Sequence, residues 1–289
     1  MHLMIFGAGY TGKFIADEAL QAGIHTSGTT RSVSNFPELQ NKGISSFVFA
    51  NQKIDTALRE KLYYTTHIVQ CIKPGNAGDP CIISMGEDFH RLVPHLKWIG
   101  YLSSTSVYGN REGQWVNENS FIHPISCIAT QRVNAEKMWL SITKKLNIKV
   151  AILRLSGIYG PQRNPFITIK QKKSLRLIKQ NQVFNRIRVE DIARSVIFLI
   201  NNHLGGIFNI SDDEPAPPQN IIMEAASLME ISPPPEKYFN ITDISPITRF
   251  FYADNKRISN AKIKSLGFHF LYPNYRISLK QLWEQMKNV

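Results

Sequence analysis

Cysteine is scarce in this chain, with three residues, Cys71, Cys81 and Cys127, among 289. They are too few and too scattered for a disulfide framework and show no CxxC spacing, so they read as small buried hydrophobes. Long apolar runs are also missing. The stretch 196–200 is among the longest, far below the roughly 18 residues of a membrane span. No basic segment precedes the first strand as a secretory signal would require, so the expected compartment is the cytosol. His90 and His95 fall outside the i, i+4 spacing of a helical metal pair, and no metal site is expected. Acidic residues are outnumbered, 22 against 34 Lys and Arg, for a net charge of +12. Between Lys170 and Arg188 there are none. A solvated basic helix is the plainest reading of that stretch, and a phosphate-bearing substrate is the next. Nucleic acid comes last, because no stacking series of aromatics accompanies the basic residues.

What is present is an ordinary globular balance, 43% hydrophobic and 19% charged. The chain opens with the apolar run His2-Leu3-Met4-Ile5-Phe6 and passes directly into Gly7-Ala8-Gly9-Tyr10-Thr11-Gly12. A strand turning through three spaced glycines into a helix is the arrangement a dinucleotide pyrophosphate needs. One glycine makes the turn, one admits the phosphates to the backbone N–H groups, and one packs the helix on the strand. Gly7, Gly9, Tyr10, Thr11 and Gly12 are therefore candidate cofactor-binding residues.

Strand and helix patterns alternate through the first two thirds. Strands are predicted near 25–30, 46–49, 67–72, 98–103 and 149–155, with helices after the glycine turn, over 82–96 and over 126–146. This spacing predicts an α/β fold, a Rossmann doubly wound parallel sheet built from right-handed βαβ units. Pro215, Pro217, Pro218 and Pro233-Pro234-Pro235 then break the last third into loops and short helices. Residues 206–210 are expected to return to the main sheet. The predicted organisation is a cofactor domain of residues 1–162 plus 184–213, and a smaller C-terminal substrate lobe of 163–183 plus 214–289 at the carboxyl ends of the strands.

An NAD-selective unit places an acid about 20 residues past the glycines to accept the ribose hydroxyls. Here that region reads Ser27-Gly28-Thr29-Thr30-Arg31-Ser32, and the next acid is Glu38. Arg31, flanked by Thr30 and Ser32, instead suits a 2′-phosphate through a forked, charge-assisted contact. NADP is the expected cofactor, with NAD the alternative; a solvent-facing arginine is the plainer reading of Arg31.

After the fifth strand comes Ser103-Ser104-Thr105-Ser106-Val107-Tyr108-Gly109, a hydroxyl cluster at the carboxyl edge of the sheet. With the glycine turn, it resembles the extended short-chain dehydrogenase/reductase superfamily, the sugar-nucleotide epimerases and dehydratases. Leu153-Arg154-Leu155-Ser156-Gly157-Ile158-Tyr159-Gly160-Pro161, Arg188-Val189-Glu190-Asp191-Ile192-Ala193 and Phe208-Asn209-Ile210-Ser211-Asp212-Asp213-Glu214 are similar to three later segments of that family, in the same order. The resemblance implies a Ser/Thr role for Ser104 and a place near the nicotinamide for Ser103. It also implies a tyrosine with a lysine four residues on, the pair that exchanges a proton with substrate while hydride moves. Registered on Pro124 and Glu136, those two positions are Ile128 and Arg132. Ile128 has no proton to give, and Arg132 stays charged. Losing a general acid/base costs about 10²–10⁴ in rate. The sequence thus resembles the atypical branch that keeps the Rossmann loop and lacks the tyrosine.

Ser104, Tyr108 and Arg132 are the candidate catalytic residues, with Tyr159 a second source of a phenol; a packed aromatic with a satisfied hydroxyl is the plainer reading of Tyr108. Arg154, Arg186 and Arg188 are candidates for an anionic substrate group, with ion pairing as their plainer role. Two functions follow: an NAD(P)-dependent oxidoreductase or epimerase-like enzyme acting on a small anionic molecule such as a nucleotide sugar, or an NADP(H)-binding sensor without turnover. Many relatives of the superfamily dimerise through the helix expected at 126–146, and nothing in the sequence requires a homodimer here.

Overall fold

Alternating buried strands and amphipathic helices generate a seven-stranded sheet in the computed structural model, which describes residues 1–240, 242 and 244–287. Five strands come from the first 104 residues: β1 (His2–Phe6), β2 (His25–Thr30), β3 (Ser45–Val48), β4 (His67–Gln70) and β5 (Trp98–Ser104). The sheet order is Gly206–Ile210, Lys149–Leu155, β5, β4, β1, β2, β3. The pairings of β1 with β2 and β4, β2 with β3, and β4 with β5 are all parallel. Met4 lies opposite Ser27 on one side and Ile68 on the other. Burial on both faces explains why β1 reads as an almost continuous apolar run, and β4 is buried throughout as well. The expected return of residues 206–210 to the sheet is observed, at the edge beside Lys149–Leu155.

The chain divides into two compact units. The first holds residues 1–107, 126–154 and 192–208. Its core joins Met4, Phe6, Leu58, Leu62, Ile99, Trp139 and Ile152. Helix α1 (Tyr10–Gln21) buries Gly12, Ile15, Ala16 and Ala19, the helical spacing that the sequence shows. The Cys127–Leu146 helix starts on Ser126, whose hydroxyl accepts from Ala129 N, and ends on Asn147 in the left-handed conformation. The single helix expected over 82–96 is instead two short ones, Pro80–Met85 and Phe89–Leu92. Gly86, with φ of 52°, terminates the first of them.

The second unit holds 108–125, 155–191 and 209–289. Its strands form short parallel pairs: Gly157–Tyr159 with Arg186–Arg188, Arg176–Ile178 with Glu236–Tyr238, and Trp115–Val116 with Arg257–Ile258. Tyr159, Phe166, Ala225, Tyr275, Leu279 and Leu282 make its core. Asn209 ties residues 108, 118 and 259 of this unit together. Its side chain accepts from Tyr108 Oη at 2.6 Å and donates to the Ser259 carbonyl at 3.0 Å, while its backbone N donates to Glu118 at 2.8 Å. Among the described residues no helix is long and apolar enough to cross a membrane.

Candidate functional site

The glycine turn is built by contacts that only glycine permits. Gly7 has φ of +87°, and a Cβ there would lie 2.8 Å from Ile72 Cγ1. A Cβ on Gly12 would lie 2.6 Å from the Gly7 carbonyl oxygen, so Gly12 is what lets α1 pack on its own turn. Gly9 differs: a Cβ there would meet nothing within 4 Å. The space above Gly9 is open to a ligand, and the start of α1 has no side-chain cap. An uncapped helix start presenting backbone N–H groups is a site for an anion. Thr29, at the end of β2, holds the turn in place. Its hydroxyl accepts from Gly7 N at 2.9 Å and its carbonyl from Ala8 N at 2.8 Å.

This turn forms one wall of a cleft of about 560 Å³ in the first unit, lined also by Lys13, Thr29, Thr30, Arg31, Asn35 and Ile72. Gly7, Gly9, Thr30 and Arg31 thus meet at one cleft, as the sequence predicts. Arg31 is exposed and has no ion pair among the described residues. Asn35 Nδ2 donates to Thr30 Oγ1 at 2.8 Å. Ser32 faces the backbone, its Oγ accepting from Ser34 N at 3.3 Å as the cap of the Val33–Asn35 turn. Tyr10 packs edge-on against Phe14, ring centroids 5.5 Å apart, and Thr11 is half-buried. Lys13, Thr29 and Asn35 were not legible as site residues. Lys13 directly follows the last glycine of the turn, which is the one signal that could have found it.

At the end of β5 the predicted hydroxyls separate. Ser103 Oγ donates to Glu136 Oε1 at 2.5 Å. Arg154 meets the same carboxylate, Nε to Oε1 at 3.2 Å and Nη2 to Oε2 at 2.8 Å. Arg154 is 1% exposed and Glu136 3%. Ser103 and Arg154 are therefore corrected from ligand contacts to members of one buried network. Ser104 is half-buried, its Oγ accepting from Ser106 N at 3.2 Å. Arg132, also half-buried, donates from Nη1 to the Leu102 carbonyl at 2.6 Å and holds the strand end. The Ile128 side chain is 44% exposed.

In the second unit Tyr108 is fully buried with its hydroxyl bonded to Asn209, which is the plainer of its two expected roles, a packed aromatic and not a proton donor. Tyr159 is buried too, and burial pushes its phenol well above the usual range, away from a phenolate. Arg188 is likewise corrected. It has no exposed surface, pairs bidentately with Glu190 at 2.7 Å, donates to Ser278 Oγ at 2.9 Å and to Gln281 at 2.8 Å, and stacks over Tyr272. Arg186 is buried, bonds weakly to the Phe184 and Ala216 carbonyls, and lies 5.9 Å from the Tyr275 ring centre. Asp212 is close enough to sense its charge, although burial still pushes that carboxyl well above the ordinary range.

Comparison with known proteins agrees with this geometry. A conserved protein of unknown function from Silicibacter pomeroyi DSS is 34% identical, with 99% of each chain covered and a TM-score of 0.89. Protein YeeZ of Escherichia coli K12 is 31% identical over 187 residues, 63% of this chain and 61% of that protein. UDP-glucuronic acid 4-epimerase from Bacillus cereus, in a structure described as a complex with NAD, shares the fold at 17% identity, with 100% and 99% coverage and a TM-score of 0.76. Matches to the curated relatives span from about a quarter to about three fifths of those proteins' lengths. Residues 94–211, which hold the hydroxyl cluster, the first two later segments and the start of the third, match the model of the NAD dependent epimerase/dehydratase family. Over residues 94–211 the chain is therefore similar to the NAD dependent epimerase/dehydratase family, and its seven-stranded sheet has the fold of UDP-glucuronic acid 4-epimerase.

Proposed function

We propose that the chain binds NADP(H) in the cleft beside its glycine turn and acts as an oxidoreductase or epimerase-like enzyme on a small anionic substrate. A nucleotide sugar is the class suggested by the names of relatives such as dTDP-D-glucose 4,6-dehydratase of Dictyostelium discoideum. One observation carries the cofactor reading. Lys13 and Arg31 are the charged residues lining the cleft, and no carboxylate lines it among the described residues. The glycine turn and the uncapped start of α1 suit the diphosphate, while Arg31 and Thr30 suit a 2′-phosphate. When bound, the nicotinamide supplies a hydride donor or acceptor. Ser104 offers a half-buried hydroxyl to orient a substrate oxygen, and Arg132 fixes the strand end that carries it. Arg186 is the buried cation kept for an anionic group.

A second reading, an NADP(H)-binding sensor without turnover, is favoured by one set of positions. Ile128 and Arg132 stand where the resemblance calls for tyrosine and lysine, and Tyr108 is sealed in a core. Calorimetry with NADPH and NADH, followed by hydride-transfer assays on UDP-, dTDP- and ADP-sugars, separates the two. The enzyme reading expects tighter NADPH binding and turnover of one sugar class. Binding with no turnover selects the sensor, and no heat with any pyridine nucleotide, oxidised or reduced, removes both.

A further inference from the structure

Lys13, one of the two cations that line the cleft, is engaged by a carboxylate of the chain itself. Its Nζ lies 2.5 Å from both oxygens of Glu38, 25 residues later. Both ends of this pair are set by buried neighbours. Gly12 packs α1 against the turn, and Leu39, fully buried, seats the short Phe36–Gln40 helix that carries Glu38. The pair itself is open to water, Lys13 at 26% and Glu38 at 55% exposure. A pair in that setting is weakly held and exchanges partners readily. Arg31, the other cation, has no ion pair among the described residues. The cleft therefore offers an incoming phosphate one available cation and one already neutralised by a single negative charge.

We propose that Glu38 is a built-in competitor for the 2′-phosphate of NADP(H): it holds Lys13 while the cleft is empty, and the phosphate takes Lys13 from it. This rests on the cofactor reading above and goes beyond it by naming Lys13 as a second phosphate-binding cation and Glu38 as the residue that limits affinity. A phosphomonoester carries more charge than a carboxylate and three acceptor oxygens, so it displaces Glu38 once Arg31 has anchored it. A ligand that ends in plain ribose hydroxyls keeps its diphosphate at the glycine turn and brings no second anion to displace Glu38. The same ion pair therefore weakens the phosphorylated cofactor and leaves the unphosphorylated one untouched.

The test compares 2′,5′-ADP with 5′-ADP by calorimetry at low salt on the wild type, Glu38→Gln, Lys13→Met and the double variant. Removing the competitor is expected to tighten 2′,5′-ADP about two- to fivefold, the range spanned by exposed ion pairs, and to leave 5′-ADP unchanged. Lys13→Met is expected to weaken 2′,5′-ADP, and in that background Glu38→Gln is expected to have no effect. Equal gains for both ligands overturn the proposal, as does no gain for either. A gain that persists without Lys13 also overturns it, since Glu38 would then only repel the phosphate through space. If neither ligand binds any of the four proteins, the dinucleotide reading falls and takes this one with it. If 5′-ADP binds normally and 2′,5′-ADP gains nothing, only the competition falls. Thermal unfolding curves of the four proteins confirm that each is folded.

Discussion

Arg154 and Glu136 form a bidentate ion pair with almost no exposure, and Ser103 completes it by donating to the same carboxylate. The pair links the Lys149–Leu155 strand to the Cys127–Leu146 helix inside the first unit. Two charges in such a place have no water to fall back on. Glu136→Ala takes the carboxylate from a buried guanidinium and is expected to cost about 3–5 kcal/mol. Replacing both partners with apolar residues of similar volume is expected to recover most of that loss. Urea denaturation of the single and double variants checks both outcomes.

Arg31→Ala is expected to weaken NADPH by about 10- to 100-fold, the worth of a hydrogen bond to a charged group, with little change for NADH. Fluorescence titration of the two reduced cofactors reads the ratio directly. Equal losses would mean that Arg31 does not read the 2′-phosphate.

Two glycines of one turn are expected to fail in different ways. Gly12→Ala drives a Cβ against the Gly7 carbonyl and is expected to cost about 1–3 kcal/mol in stability. Gly9→Ala meets no protein atom, so melting temperature is expected to stay near the wild type while dinucleotide binding falls at least about tenfold. Thermal unfolding and calorimetry on the same samples distinguish the cradle from the scaffold.

Acid destabilises the first unit through its histidines. Burial, the largest cause at both sites, holds His2 and His67 down at about 4, assisted by Lys61 at His2 and by His203 at His67. In the unfolded chain both titrate near about 6.5. With the folded value below the unfolded one, the unfolded chain takes up protons first as pH falls. Stability is therefore expected to be complete above about pH 6.5, to decline as pH falls toward about 4, and to lose nothing further from these groups below that. Urea midpoints measured across this window show the decline, and His67→Gln is expected to flatten it.

The fold was largely legible because its signals are local. A buried apolar strand, three spaced glycines and a helical stripe all lie within the first 21 residues, and the alternation continues through Leu155. The helix expected over 82–96 failed for a local reason too, since Gly86 takes a positive φ that a periodicity count does not register. The site was legible in part. Gly7, Gly9, Thr30 and Arg31 meet at one cleft as read. For Arg154 the sequence shows the charge and conceals the partner, since Glu136 lies 18 residues before it. The carboxylate of Arg188 is only two residues on, at Glu190, but its contact with Ser278 comes from 90 residues later. For Tyr108 the packed role could be read from the sequence but the acceptor could not, because Asn209 is 101 residues away. Lys13 passed unnoticed since its ion pair is with Glu38, 25 residues on, which the sequence shows only as the first acid after Arg31.

Asn209 gathers chain from positions 108, 118 and 259. During synthesis, the tyrosine and the glutamate that it ties down leave the ribosome about a hundred residues ahead of it, and the Ser259 carbonyl follows fifty residues later. Residues 108–125 must therefore wait for these bonds until most of the polypeptide has been made. A chain cut short before residue 209 would lack the acceptor for the Tyr108 hydroxyl and the amide that meets Glu118.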